Sequence, residues 1–183
     1  MAQFSDGKYP YYLDKNEQTL ELLIASYSDA LIRYAYSYVR DLAAAEDIME
    51  EAFVAYLVNR KDFSSKEQLR CWLYKAVRSR SVDYLRRHRR EVSLEELEAV
   101  LHCEGLEQDQ IIRQRNATLY RNLQNLRWQY RAVLQLHYIE DFSVEQICTI
   151  LGKSTKQVYN LLARAKIALK ESLMKEGIGY EDL

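Results

Sequence analysis

The residues with the most evident chemistry lie between Cys71 and Glu91, in the run CWLYKAVRSRSVDYLRRHRRE. Lys75, Arg78, Arg86, Arg87 and Arg89 supply cations of one sign, Ser79 a hydroxyl, and Trp72, Tyr74 and Tyr84 aromatic rings. Cations follow a phosphate backbone and rings accept stacked bases, so this mixture suits a single nucleic-acid strand. Spread over a helix at about 100° per residue, Leu69, Leu73, Ala76, Val77 and Tyr84 fall on one side. Lys75, Arg78, Arg86 and Arg89 fall on the other. One face can pack while the other offers a cationic stripe. The plainer alternative is a solvated face on a bundle helix; the single sign and the flanking rings weigh against it.

A second constellation lies in DFSVEQICTILGKSTKQVYNLLARAKIAL, residues 141–169. Ser143 stands three residues before Gln146, and Ser154 three before Gln157, the spacing of a capping box at two helix starts. Val144, Ile147, Cys148 and Leu151 make an apolar face on the first helix, and Gly152 marks a tight turn. In the second helix Val158, Leu161, Leu162, Ala165 and Leu169 form the buried side. Lys156, Tyr159, Asn160, Arg164 and Lys170 face outward. Two short helices across such a turn, the second polar and basic, describe a helix-turn-helix whose second helix fits the DNA major groove. An ordinary helical hairpin is the alternative, and it does not account for the cationic outer face.

A third group is acidic. Glu46, Asp47, Glu50 and Glu51 sit on a helical stretch with no histidine or metal motif nearby in sequence, so they read as a docking or solvated face. His88, His102 and His137 are too scattered for a metal site, and His102–Cys103 lacks a CxxC or HxxxH companion. No glycine-rich phosphate loop and no nucleophile–base pair is present. The expectation is a protein without metal, without cofactor and without catalysis of its own.

These groups must be held by helices. The chain of 183 residues has one proline and five glycines against many Leu, Ala, Glu, Lys, Arg and Gln, a composition that points to an all-α fold. Helices are predicted over about 16–40, 44–60, 65–89, 111–125, 128–139, 143–151 and 154–174. The net charge of −1 hides strong blocks. Residues 61–90 carry ten basic and three acidic side chains, whereas 91–112 carry seven acidic and none basic. Two small helical domains, 16–90 and 111–174, joined by an acidic linker at 91–110, fit this pattern. No stretch approaches the ~20 apolar residues of a membrane span. The start, MAQFSDGKYPYYLDKNEQ, lacks the basic and apolar regions of a secretory leader. The three cysteines, Cys71, Cys103 and Cys148, are odd in number and suit reduced thiols in a cytoplasm.

Three motifs in order resemble a bacterial extracytoplasmic-function (ECF) sigma factor, the small two-domain class of RNA polymerase specificity subunit. YSDALIRYAYSYVRDLAAAEDIMEEAF is similar to the start of sigma region 2, with its AED-x-x-QE-x-F docking helix. WLYKAVRSRSVDYLRR resembles the WLY-x-IA-x-N-x-x-x-D-x-LRR segment that melts and reads the minus-10 element. The 141–169 block is similar to region 4. The resemblance implies core RNA polymerase as partner through Glu46, Asp47, Glu50, Glu51 and Phe53. It implies minus-10 contacts by Lys75, Arg78, Ser79, Arg86, Arg87 and Arg89, and minus-35 contacts by Ser154, Thr155, Lys156, Tyr159, Asn160 and Arg164. Promoter DNA and an anti-sigma factor are the other expected partners, with no membrane insertion. The chain departs from the family pattern at Glu50, Ser79, Arg127 and Leu161, where Gln, Asn, Pro and Arg are common. The rival readings are a conventional helix-turn-helix regulator and a sigma mimic that binds an anti-sigma factor without touching DNA.

Overall fold

The computed structural model describes residues 17–58, 63–88, 119 and 121–175. All secondary structure among them is helical. The elements are α1 (Glu17–Val39), α2 (Leu42–Val58), α3 (Lys66–His88), α4 (Trp128–Leu134), α5 (Val144–Leu151) and α6 (Thr155–Lys175). A π-helical turn, Gln135–Ile139, continues α4. The linker at 91–110 lies outside the described residues.

In α1 the buried side chains Leu23, Tyr27, Leu31, Tyr34 and Tyr38 recur at steps of three and four, as one helix face requires. The helix stops at Arg40, which takes a left-handed conformation (φ 58°) and returns its N–H to the Tyr36 carbonyl. Asp41 then opens α2 by accepting the Ala44 N–H at 3.1 Å. Ser65 opens α3 in the same way, accepting the Gln68 N–H, while the Gln68 side chain accepts the N–H of Ser64.

Helices α1, α2 and α3 pack around Leu31, Tyr34, Ile48, Ala52, Phe53, Leu69, Leu73 and Val77. Trp72 lies edge-on to Phe63 at 5.7 Å and to Tyr56 at 6.3 Å, closing the α2–α3 end of this core. The second group of helices packs around Val133, Leu136, Phe142, Ile147, Ile150, Val158 and Ala165.

The two groups touch directly. Trp128 of α4 meets the Tyr38 ring at 5.1 Å. The Arg131 guanidinium donates to the Ser37 carbonyl at 2.7 Å and to the carbonyls of Gln124 and Leu126. It thereby ties α1 to the segment before α4. Burial lowers the pKa of Arg131 to about 10. The α3–α5 side of the junction is closed by Tyr74, whose ring contacts Tyr34 at 5.0 Å and Phe142 at 4.9 Å. Tyr74 is 0% exposed, which corrects its expected place near a DNA surface. Its hydroxyl donates instead to the Glu140 carboxylate. Burial, then that carboxylate, pushes its pKa far up.

Candidate nucleic-acid interface

The helix-turn-helix is built locally. Ser143 Oγ accepts the Gln146 N–H at 3.3 Å, and Gln146 Oε1 accepts the Ser143 N–H at 2.8 Å. This reciprocal box opens α5. Gly152 ends it at φ 59°, where a side chain would be strained whatever the space around it. Ser154 and Gln157 form a second box: Ser154 N–H donates to Gln157 Oε1 at 2.9 Å, and Gln157 N–H to Ser154 Oγ at 3.4 Å. Buried Ile147, Ile150, Leu151, Val158, Leu162 and Ala165 lock the two helices together.

Ser154, Thr155, Lys156, Tyr159, Asn160 and Arg164 are all exposed on the first half of α6. A cleft of about 370 Å³ opens beside them, lined by Arg127, Gln129, Tyr130, Lys153, Gln157, Asn160, Leu161 and Arg164. Arg127, Lys153 and Gln157 are additions that sequence reasoning missed. Lys153 was legible as a cation in the turn. Arg127 is brought alongside only by the packing of α4 on α6. Leu161 is half-buried, packed against the core and lining this cleft with its remaining surface.

On α3, Lys75, Ser79, Arg86 and Arg87 are exposed. Arg86 is paired with Asp83 at 3.3 Å, a solvent-exposed contact that a phosphate can displace. Arg78 differs: it is half-buried and close enough to the buried Tyr34–Tyr38 pair to favour ionisation of both phenols. Burial outweighs this and holds both pKa values up. The two hydroxyls share a hydrogen bond of 2.8 Å. Arg89 lies outside the described residues. Tyr84 is half-buried and stacks on His88 at 3.9 Å.

The acidic side chains Glu46, Asp47, Glu50 and Glu51 are exposed along α2. Glu51 is engaged by Arg80 of α3 at 3.0 Å. Phe53 is 4% exposed and packs inside the three-helix core, so it shapes α2 from within and offers no docking contact. Besides Leu42 at its start, the large apolar groups that α2 presents are Val54, Leu57 and Val58 in its last turns, with Val58 76% exposed. Their spacing of three and four, off the Ile48–Phe53 face, is the signal that sequence reasoning passed over. Among the described residues no group of three or more His, Cys, Asp or Glu side chains could hold a metal ion, and no helix is long and apolar enough to cross a membrane.

An acidic-faced helix and a basic helix followed by a helix-turn-helix is the order of a two-module sigma-70 protein. The family model for Sigma-70 region 2 matches residues 23–91, and that for Sigma-70 region 4 matches residues 117–169. The chain is similar to RNA polymerase sigma factor SigV of Bacillus subtilis, at 25% identity over 91% of this chain and 99% of the relative. It is also similar to the ECF RNA polymerase sigma factor SigM of the same organism, at 23% identity over 89% of this chain and 99% of the relative. Among solved structures, the sigma factor RpoE in complex with the anti-sigma factor NepR from Bartonella quintana has the same fold. Its TM-score is 0.68 at 20% identity, over 86% of this chain and 98% of that one. The chain belongs to the extracytoplasmic-function class of RNA polymerase sigma factors.

Proposed function

We propose that this sigma factor docks on core RNA polymerase through the outward face of α2 and directs it to promoters, reading the minus-10 element with α3 and the minus-35 element with α6. The observation that carries the reading is the exposed set on a helix opened by the Ser154–Gln157 capping box. Asn160 and Lys156 stand on the outer surface of α6, with Arg127, Lys153 and Arg164 arranged around the adjoining cleft. An asparagine can pair bidentately with adenine, and the cations can hold the flanking phosphates. On α3 the strand of melted DNA follows Lys75, Ser79, Arg86 and Arg87. The polymerase anchor consists of Glu46, Asp47 and Glu50 with Val54, Leu57 and Val58, an apolar centre beside a charged rim.

The protein acts as a specificity subunit in the cytoplasm and carries out no chemistry of its own. Its proposed negative regulator is an anti-sigma protein; the Bartonella neighbour was solved with one. Asp47→Arg with Glu50→Arg tests the anchor. Both side chains are exposed, and neither replaces the Glu51–Arg80 pair. The double variant should keep its helical circular dichroism and lose co-purification with core polymerase. A folded variant that still co-purifies would contradict the docking assignment.

A further inference from the structure

Three cations from three elements surround the cleft beside α6. Arg127 stands one residue before α4, Lys153 in the turn and Arg164 on α6. All three are exposed, and among the described residues none of them is in an ion pair. Among the described residues no acidic side chain lines the cleft, so its field has one sign.

Arg127 differs from the other two in how it is held. Its backbone is extended, at φ −58° and ψ 142°, and its carbonyl accepts the N–H groups of Tyr130 at 2.9 Å and Arg131 at 3.2 Å. Buried Leu126 precedes it and half-buried Trp128 follows it, so both neighbours are anchored. Its own side chain caps nothing. A guanidinium on a fixed backbone has little left to order on binding, and its planar fork matches a phosphate bidentately. The facing wall belongs to α6, which contributes Gln157, Asn160, Leu161 and Arg164, residues that share one helix face. Leu161 is apolar and half-buried, so α6 places no charge between Asn160 and Arg164 on this wall.

We propose that Arg127 is a positioning residue for the upstream element. With Arg164 it clasps one backbone phosphate of the duplex across the cleft, supplying from α4 the charge that α6 lacks at Leu161. Both positions are among those where the chain departs from the pattern of its family, so the clasp is particular to this chain. A phosphate gripped from two helices fixes the tilt of α6 as well as its depth in the groove; one held by α6 alone leaves the tilt free. The proposal rests on α6 as the upstream reader and names the residue outside the helix-turn-helix that seats it.

The full chain tests this by fluorescence anisotropy over a range of salt, on an upstream duplex selected from a randomised library and on a scrambled duplex. Arg127 is exposed, so Arg127→Ala should keep its helical circular dichroism. Its log–log salt slope should shrink by about 0.9 on both duplexes, the share of one lost phosphate contact. Arg127→Lys should keep the slope and bind less tightly than wild type, because a lysine keeps the charge and loses the fork. Adding Leu161→Arg to Arg127→Ala should restore the slope, since the longer stem can lie along the core and bring its charge into the cleft from the other wall. In a scan of single methylphosphonates over the selected duplex, one position should cost wild type about tenfold, as for a lost hydrogen bond to a charged group. The same position should cost Arg127→Ala nothing further. An unchanged slope in Arg127→Ala, or methylphosphonates that cost it as much as wild type at every position, would overturn the clasp. So would a wild type that binds neither duplex at low salt. A slope that Leu161→Arg does not restore would overturn the exchange of charge between the two walls. The scrambled duplex reports the phosphate contact without any sequence preference, so a chain that selects no upstream sequence fails as a reader while its clasp is still judged by the slope.

Discussion

At the scale of single residues, what a side chain looks like in sequence and what it touches diverge at informative places. Phe53 and Tyr74 stand in motifs beside charged neighbours, yet both are core residues, because each falls on the face of its helix that other helices cover. Lys75, Arg78, Arg86 and Arg89 were legible as one outward stripe because a 3.6-residue period places them together, and Lys75 and Arg86 are exposed as that stripe requires. Arg78 sits in the same motif but is half-buried, and its charge acts on the buried Tyr34–Tyr38 pair of α1, a relation between helices that no spacing within α3 reveals. The roles proposed on α6 separate by experiment. Asn160→Ala should change which upstream sequences are used, at ~1–3 kcal/mol for a lost bidentate base contact. Arg164→Ala should weaken all promoters about equally, since phosphate contacts position without specifying. Transcription from a randomised upstream library distinguishes the two. Sequence preferences that survive Asn160→Ala and shift with Arg164→Ala would reverse the assignment.

At the scale of elements, local signals were strong wherever the structure is locally determined. Both capping boxes and the left-handed Gly152 follow from residue type and spacing alone, and α5 and α6 begin where those signals place them. The stretch expected as one helix over 128–139 instead widens into a π turn from Gln135. That turn delivers Glu140 and Phe142 to the neighbouring module, so its cause is tertiary. The cap of the recognition helix carries an element-scale prediction. Ser154→Ala removes the acceptor for the Gln157 N–H and should cost about 1 kcal/mol in urea unfolding. It should also weaken upstream-element use, because Thr155 and Lys156 lie in the turn that the cap holds. Ser143→Ala should cost a similar amount of stability, again about 1 kcal/mol, and leave sequence preference in place. Equal effects of the two on preference would show that the cap of α6 does not position the reading residues.

At the scale of the whole molecule, the alternation of basic and acidic blocks announced two modules and a connector, and the two matched family regions fall on those modules. The junction between them was illegible. Arg131 with Ser37, and Tyr74 with Glu140, are partners separated by 94 and 66 residues, and neither pair lies on a periodic face of one helix. Buried contacts of this kind make a closed body from parts that were expected to be joined only by a linker. The central claim is that this chain directs core polymerase to promoters, reading their two elements with α3 and α6. Its most direct test is transcription in vitro with purified core polymerase on a library of upstream DNA, with start sites mapped. The account predicts that core enzyme alone initiates without preference. Added chain should create specific starts preceded by two fixed elements, with the upstream element altered by Asn160→Ala. A folded chain that binds core polymerase and leaves initiation as unspecific as before would contradict it.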